Sequence, residues 1–394
     1  MSDTTVIRNA RLPKRAGLYQ IAIEHGRVRS LNPMTEVAAT SIAVSTTAID
    51  VAGDWLSLGA VDLQINGALG LAFPDLRQGD EAKLQEICEL LWQQGVSAFC
   101  PTIVTTSQEN FEGSLSAIRD FQRQTDVGAG SAKIIGAHLE GPFLNASKRG
   151  AHPAEYLQPL TLERVKHLIG DFADCVSIVT LAPEIAKESA EIAAVVAWLH
   201  EQNIVVSLGH SLATAEQAEN VFEKGATMVT HAFNAMPGLH HREPGLLGAA
   251  LADDRVSCGF IADGQHVCKT MLNLLLRMGL NGAELSGLFL VSDALSPLGL
   301  PDGKYPWDSR EIEVVAGTAR LADGTLSGTT LPLIQGAQNL VAWGLCGVED
   351  AIALVTSAPR QALGISNWLL DSPAHVLRWS QKSENMPLTW QWLL

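Results

Sequence analysis

The chain has 394 residues, 47% hydrophobic and 18% charged, with 34 glycines and a formal net charge of −15. That length exceeds one ordinary core but suits an α/β barrel carrying a small satellite, and glycine-rich apolar composition fits buried parallel strands better than a helical bundle. The negative charge, with no basic run to offset it, excludes nucleic acid as a partner; "MSDTTVIRNARLPKR" lacks an apolar signal core and "MLNLLLRMGL" is too short for a membrane span, so a soluble protein with no membrane partner is expected.

Residues 5–58 form short strand-like runs and turns, "TVIRNARL", "YQIAIEHGRVRSL" and "AIDVAGDWLSLG", which predict a small β module. From residue 60 apolar runs alternate with helix-like segments such as "DEAKLQEICELLWQQG" and "ATAEQAENVFEKG", the second ending at Gly225, where a helix cap is expected. The runs are "AVDLQIN", "SAFCPTIV", "KIIGAHLE", "VSIVTLAPE", "NIVVSLGH", "TMVTHAFN", "SCGFIAD" and "GLFLVSD". Eight βα units in sequence predict a closed (β/α)8 TIM barrel, with its active site at the C-terminal ends of the strands. A doubly wound sheet wants G-x-G-x-x-G after its first strand, and "QINGALGL" does not supply it. After a helix-like "VEDAIALVTSAPRQAL", the chain closes in strand-like "HVLRW" and "PLTWQWLL". The expected organisation is therefore a small β domain from 1–58 plus 356–394 and a barrel over 59–355. Cys88, Cys100, Cys175, Cys258, Cys268 and Cys346 are scattered without a C-x-x-C pair, which favours a cytoplasmic protein over a disulfide scaffold or structural zinc site.

In "VDLQINGALG", residues 61–70, strict alternation places Asp62, Gln64 and Asn66 on one side of a strand and Val61, Leu63 and Ile65 on the other. The third run ends in His138 and Glu140, the fifth in His210, the sixth in His231 and the eighth in Asp293. A barrel gathers these ends at one mouth. Two imidazoles and a carboxylate are a ligand set for catalytic zinc, and they suit non-haem Fe(II) equally. A hydrolytic metal site also needs a carboxylate to take a proton from water and pass it to the leaving group, and Asp293 is the candidate. Ser211 in "GHSLA" suggests a rival serine hydrolase, but Ala213 stands where the nucleophile elbow requires glycine.

"HLEGPFLNASKRGAHP", "GHSLAT", "THAFNAMPGLHHREPGLLGAAL", "IADGQHV", "VSDALSPLG" and "DGTLSG" lie in one order between about residues 59 and 330. Together they resemble the N-acetylglucosamine-6-phosphate deacetylase family of the amidohydrolase superfamily. The resemblance implies a β-sandwich for the terminal module and a metal-dependent hydrolase that removes acetyl from the phosphorylated amino sugar. It implies Glu140, His210 and His231 as metal ligands and Asp293 as general acid/base. Most amidohydrolases end the first strand in His-x-His; Gln64 and Asn66 here resemble a branch with one divalent metal per chain, most simply Zn2+, with Fe2+, Co2+ or Mn2+ as alternatives. Ala151, Asn234, Ala235, Leu326, Ser327 and Gly328 are expected to line the sugar site. His152 is expected at the acetyl carbonyl, and Arg242 and His266 form the phosphate and sugar clamp of a homodimer. The same chemistry on the galacto epimer, or a catalytically silent phosphosugar-binding protein, are the alternatives. "SPLGLPDGKYPWD", after Asp293, departs from the commonest family versions.

Overall fold

The computed structural model describes residues 4–36, 46–124, 130–279, 287–308, 310–368, 370–383 and 386–394. Eight parallel strands supply the central frame: β1 (Ala60–Ile65), β2 (Val96–Val104), β3 (Ala137–Glu140), β4 (Val176–Leu181), β5 (Val205–Leu208), β6 (Met228–Val229), β7 (Ser257–Phe260) and β8 (Leu288–Leu290). Each pairs with its successor, and the chain just past β8 meets β1 through a parallel bridge between Ile65 and Ala294. All eight predicted runs provide a strand of the expected (β/α)8 barrel. "KIIGAHLE" divides: Lys133–Ile134 pairs beside β2, and β3 starts after Gly136, whose φ of 119° turns the chain between the two pieces.

Helices between the strands follow the sequence closely. Ala215–Glu223 begins at a capping box, where the Thr214 hydroxyl accepts from the Gln217 N–H and the Gln217 side chain accepts from the Thr214 N–H. It ends just before Gly225, at φ 113°, as expected. The predicted "VEDAIALVTSAPRQAL" helix is instead broken at Thr356 into Val348–Val355 and Ser357–Ala362.

The barrel axis is layered. Val61, Leu63, Cys100, Ile178, Met228, Phe289 and Val291 form an apolar inner cluster. Two residues past Ile178 on β4, Met228 on β6 and Val291 just beyond β8 stand the buried polar residues Thr180, Thr230 and Asp293, so the interior becomes polar toward its mouth. Hydrogen bonds of 2.6 Å join Thr230 Oγ1 with Thr180 Oγ1 and with Ser207 Oγ and make a hydroxyl belt there.

The predicted alternation of β1 fails at one point. Val61 and Leu63 face the inner cluster, whereas Ile65 packs in the outer core with Phe73 and Phe99. The register against β2 slips between Asp62 and Ile65, and this irregularity turns Gln64 and Asn66 into the mouth while Asp62 accepts the backbone N–H groups of Gln64 and Ser292.

Both termini build one further module. Its strands are Thr4–Leu12, Arg15–Glu24, Arg27–Pro33, Thr46–Asp50, Trp55–Leu58, Val376–Ser380 and Thr389–Trp392. Two ladders meet at a single bridge between Arg11 and Trp55 and enclose a core of Ile7, Leu12, Ile21, Val28, Leu56 and Val376. Residues 1–3 and 37–45 of the predicted N-terminal part lie outside the described residues. Ala353 and Ala358, one on each side of Thr356, both join the barrel's inner cluster, and the chain rejoins the terminal sheet at Val376. Between β8 and the helix Leu333–Ala342, an antiparallel sheet of Gly303–Trp307, Arg310–Val315, Thr318–Leu321 and Leu326–Thr329 is inserted; no sequence signal singled it out as a unit.

Candidate active site

The strand ends converge as expected. Glu140 Oε1 lies 3.0 Å from His210 Nε2 and 3.0 Å from His231 Nε2, and the two Nε2 atoms are themselves 3.0 Å apart. All three side chains are buried. His210 donates its Nδ1–H to the Lys148 carbonyl at 2.8 Å, so in the neutral ring Nε2 turns a lone pair toward the Glu140 carboxylate. Lone pair against carboxylate at that distance is favourable only with a proton or a cation between them. The donor set therefore fits a divalent ion, since ligands on one tetrahedral centre with bonds of about 2.0–2.2 Å stand ~3.3–3.6 Å apart. His152 also brings a ring nitrogen within 4.8 Å of Glu140 and His210, but its Nδ1 is occupied by Thr105, which makes His231 the better third ligand.

Asp293 is placed against this set by amides. Asn66 Nδ2 donates to its Oδ1 at 2.7 Å, and Gln64 Nε2 donates to both Asp293 Oδ1 and Glu140 Oε1 at 3.2 Å. Gln64 and Asn66 thus hold the carboxylates in place. Burial, and then repulsion from Glu140, raise the Asp293 carboxyl above its ordinary value. Burial works the same way on Glu140, but the two imidazoles that crowd it, His210 and His231, outweigh burial and hold that carboxyl well below the usual range. The pair is split in the way acid/base sites commonly are: one carboxylate fixed as an anion, its neighbour ready to take a proton.

His152 Nδ1 faces the Thr105 backbone N–H at 3.3 Å and the Thr105 hydroxyl at 2.8 Å. An N–H can only donate, so the His152 proton sits on Nε2. Burial, then the neighbouring His210, push the His152 imidazole down to about 3, so the ring is a neutral donor at physiological pH. His138, in contrast, bridges the Leu63 carbonyl and the Thr180 hydroxyl at 2.9 and 2.7 Å and belongs to the barrel's frame. Ser211 is fully buried and donates to Glu184 at 2.7 Å, and among the described residues no imidazole hydrogen-bonds to it, which removes the serine-hydrolase reading.

A cavity of about 610 Å³ opens over these groups. No family model matches the chain. Among curated proteins it is 35% identical over 325 residues to N-acetylglucosamine-6-phosphate deacetylase of Homo sapiens, spanning 80% of this chain and 76% of the relative. It is 32% identical over 371 residues to N-acetylgalactosamine-6-phosphate deacetylase of Escherichia coli O157:H7, spanning 93% and 91%. Among solved structures, N-acetylglucosamine-6-phosphate deacetylase from Pasteurella multocida superposes with a TM-score of 0.80 at 25% identity, covering 99% of this chain and 100% of that one. A variant of the Mycobacterium smegmatis enzyme in complex with N-acetyl-D-glucosamine-6-phosphate superposes with a TM-score of 0.79 at 25% identity, over 98% and 96%.

The chain belongs to the N-acetylglucosamine-6-phosphate deacetylase family. In this family member the cavity wall includes Asn66, Glu140, His210, His231 and Asp293 together with seven of the expected substrate residues, Ala151, His152, Asn234, Ala235, His266, Leu326 and Ser327. Two expected residues lie elsewhere. Gly328 sits behind Asp293, where a Cβ would come within 2.7 Å of the Asp293 carbonyl, so its lack of a side chain lets the inserted sheet pass. Arg242 is exposed on the loop before Gly245–Leu251 and is not among the residues lining this chain's cavity.

The deacetylase also shows residues that the sequence did not single out. Thr105, at the end of β2, sets the His152 tautomer, and Trp307 and Asp308 bring the inserted sheet to the cavity rim. Arg310 donates to the Ala151 carbonyl at 2.7 Å and tethers that sheet to the His152 loop. Only the polar end of "PTIVTTS" marked Thr105; the contacts of Trp307 and Arg310 depend on how the insertion folds back, which no local pattern carries. No helix among the described residues is long and apolar enough to cross a membrane.

Proposed function

We propose that this deacetylase hydrolyses the N-acetyl amide of N-acetylglucosamine-6-phosphate to glucosamine-6-phosphate and acetate, in the cytoplasm and as a homodimer, with one divalent ion per chain, most simply Zn2+. The observation that carries the reading is the contact of Glu140, His210 and His231 beside an amide-held Asp293. Glu140, His210 and His231 would hold the ion. When bound, it supplies Lewis-acid polarisation and makes hydroxide available near neutral pH, lowering a water pKa from about 15.7 to about 7.

The remaining steps belong to the chain's own residues. Asp293 accepts the proton of the attacking water and delivers it to the nitrogen as the C–N bond breaks. Gln64 and Asn66 fix the carboxylate orientation throughout. His152 donates Nε2–H to the acetyl carbonyl oxygen and stabilises the charge that develops there; a neutral ring does this without taking a proton from the leaving amine. Ala151, Asn234, Ala235, Leu326 and Ser327 border the sugar, and His266 faces its far end. Arg242 serves as the phosphate fork of a second copy, since its exposed guanidinium suits two parallel hydrogen bonds to phosphate.

The E. coli galactosamine relative, which spans more of both chains than the human one, keeps the galacto epimer as the competing substrate. Acetate release by the metal-loaded protein from both 6-phosphates and from unphosphorylated N-acetylglucosamine decides. The gluco phosphate is expected to be the best substrate. Preference for the galacto phosphate would move the assignment to that epimer, and no release from any of the three would leave only phosphosugar binding.

A further inference from the structure

His266 has a carboxylate of its own. Just beyond β7, Asp263 Oδ1 accepts the backbone N–H groups of Gln265 and His266 at 2.8 and 2.9 Å, folding the chain so that Oδ2 meets His266 Nδ1 at 2.6 Å. The two side chains are only 3% and 6% exposed. Burial works against the Asp263 charge, yet the hydrogen bonds from His266 and the backbone hold the carboxyl below its ordinary value. An ionised carboxylate only accepts, so His266 Nδ1 carries a proton and Nε2 is the ring atom left for the cavity. Among the described residues, no hydrogen bond joins His266 to Glu140, His210, His231 or Asp293, although it shares their cavity and its charge would favour the Asp293 carboxylate.

We infer that Asp263 is a positioning residue for substrate binding, locking His266 so that Nε2 meets the phosphate or an adjoining hydroxyl of the bound sugar. The inference rests on the substrate class proposed above. A ring with a proton on Nδ1 alone offers Nε2 as an acceptor to a hydroxyl. A doubly protonated ring offers an N–H to a phosphate oxygen. Both need the same ring orientation, and a carboxylate at Nδ1 supports both.

The test is a double-mutant cycle on kinetic constants with Asp263→Asn, His266→Gln and the pair combined, using phosphorylated and unphosphorylated sugar. Asp263→Asn is expected to raise KM about tenfold with kcat changed less than about twofold, as losing one hydrogen bond to a charged group does. On the His266→Gln background it is expected to add less than about twofold, because its effect passes through that ring. A KM rise confined to the phosphorylated sugar places Nε2 at phosphate, a rise on both sugars places it at a hydroxyl, and either supports the positioning role. Unchanged KM, or effects that multiply fully in the double variant, would overturn it. The ring 15N signals of His266 in the unsubstituted protein give a reading that needs no variant: a proton on Nδ1 is expected, and a neutral ring protonated only on Nε2 would overturn the inference. If the unsubstituted protein releases no acetate, the substrate proposal fails, while those signals still decide the part played by Asp263.

Discussion

Three residues at the barrel mouth, His210, His231 and Asp293, lie in the left-handed backbone region, at φ 47°, 28° and 48°. Residues other than glycine visit that region rarely, at a cost of about 1–3 kcal/mol each, and such strain gathers at functional sites. Here it accompanies side chains turned inward just as their strands end. Asp293→Asn keeps the shape and the hydrogen bond from Asn66 but cannot take a proton. We expect the variant to retain its metal, measured by elemental analysis, and to lose about 10²–10⁴-fold in kcat; retained turnover would reject Asp293 as the proton carrier. Asp62 gives a second residue-scale consequence. Burial raises its carboxyl to about 7 from 3.8, against hydrogen bonds from Ser292 and Gln64 that act the other way. Because the folded value lies above the unfolded one, its stabilising contribution is complete below about 3.8 and is lost as pH rises through about 7. Asp62→Asn should therefore flatten the decline in Tm between about pH 4 and pH 7. An unchanged slope would show that Asp62 does not titrate in that window.

At the scale of elements, the legible features are those written in local pattern. Eight apolar runs announced eight strands, and Glu140, His210, His231 and Asp293 were recognisable because each stands at or just beyond the end of one. Seven of the substrate positions carried by longer motifs also reach the cavity. What escaped depends on contacts between distant segments. The irregularity in β1 that separates Asp62 from Gln64 and Asn66 is a slip against β2, so nothing in "VDLQING" could reveal it. The break at Thr356 lies inside a run whose helical periodicity looks continuous. The inserted sheet does carry alternation at Ile312 and Val314, but its importance comes from Arg310 reaching Ala151. Trp379 shows the same dependence on distant partners: it is fully buried and donates Nε1–H to Ser57 Oγ at 2.8 Å, locking the C-terminal strand Val376–Ser380 to Trp55–Leu58. Trp379→Ala should cost about 3–5 kcal/mol of stability, read as a lower denaturant midpoint. A loss below about 1 kcal/mol would show that this strand does not anchor the module.

For the molecule as a whole, the barrel and the terminal sheet divide the labour. The sheet joins the chain's two ends, and the barrel brings residues as far apart in sequence as Gln64 and Asp293 into hydrogen-bonding distance. Neutral amides stand at Gln64 and Asn66, both engaged with carboxylates, which among the described residues supports the proposal of one strong cation site, with Glu140, His210 and His231 as its ligands. That single-ion site is the central claim. It is tested most directly by titrating metal-free protein with Zn2+ while following acetate release from N-acetylglucosamine-6-phosphate. Activity is expected to rise linearly to one equivalent per chain and then stay level; a rise that continues to two equivalents would contradict the account.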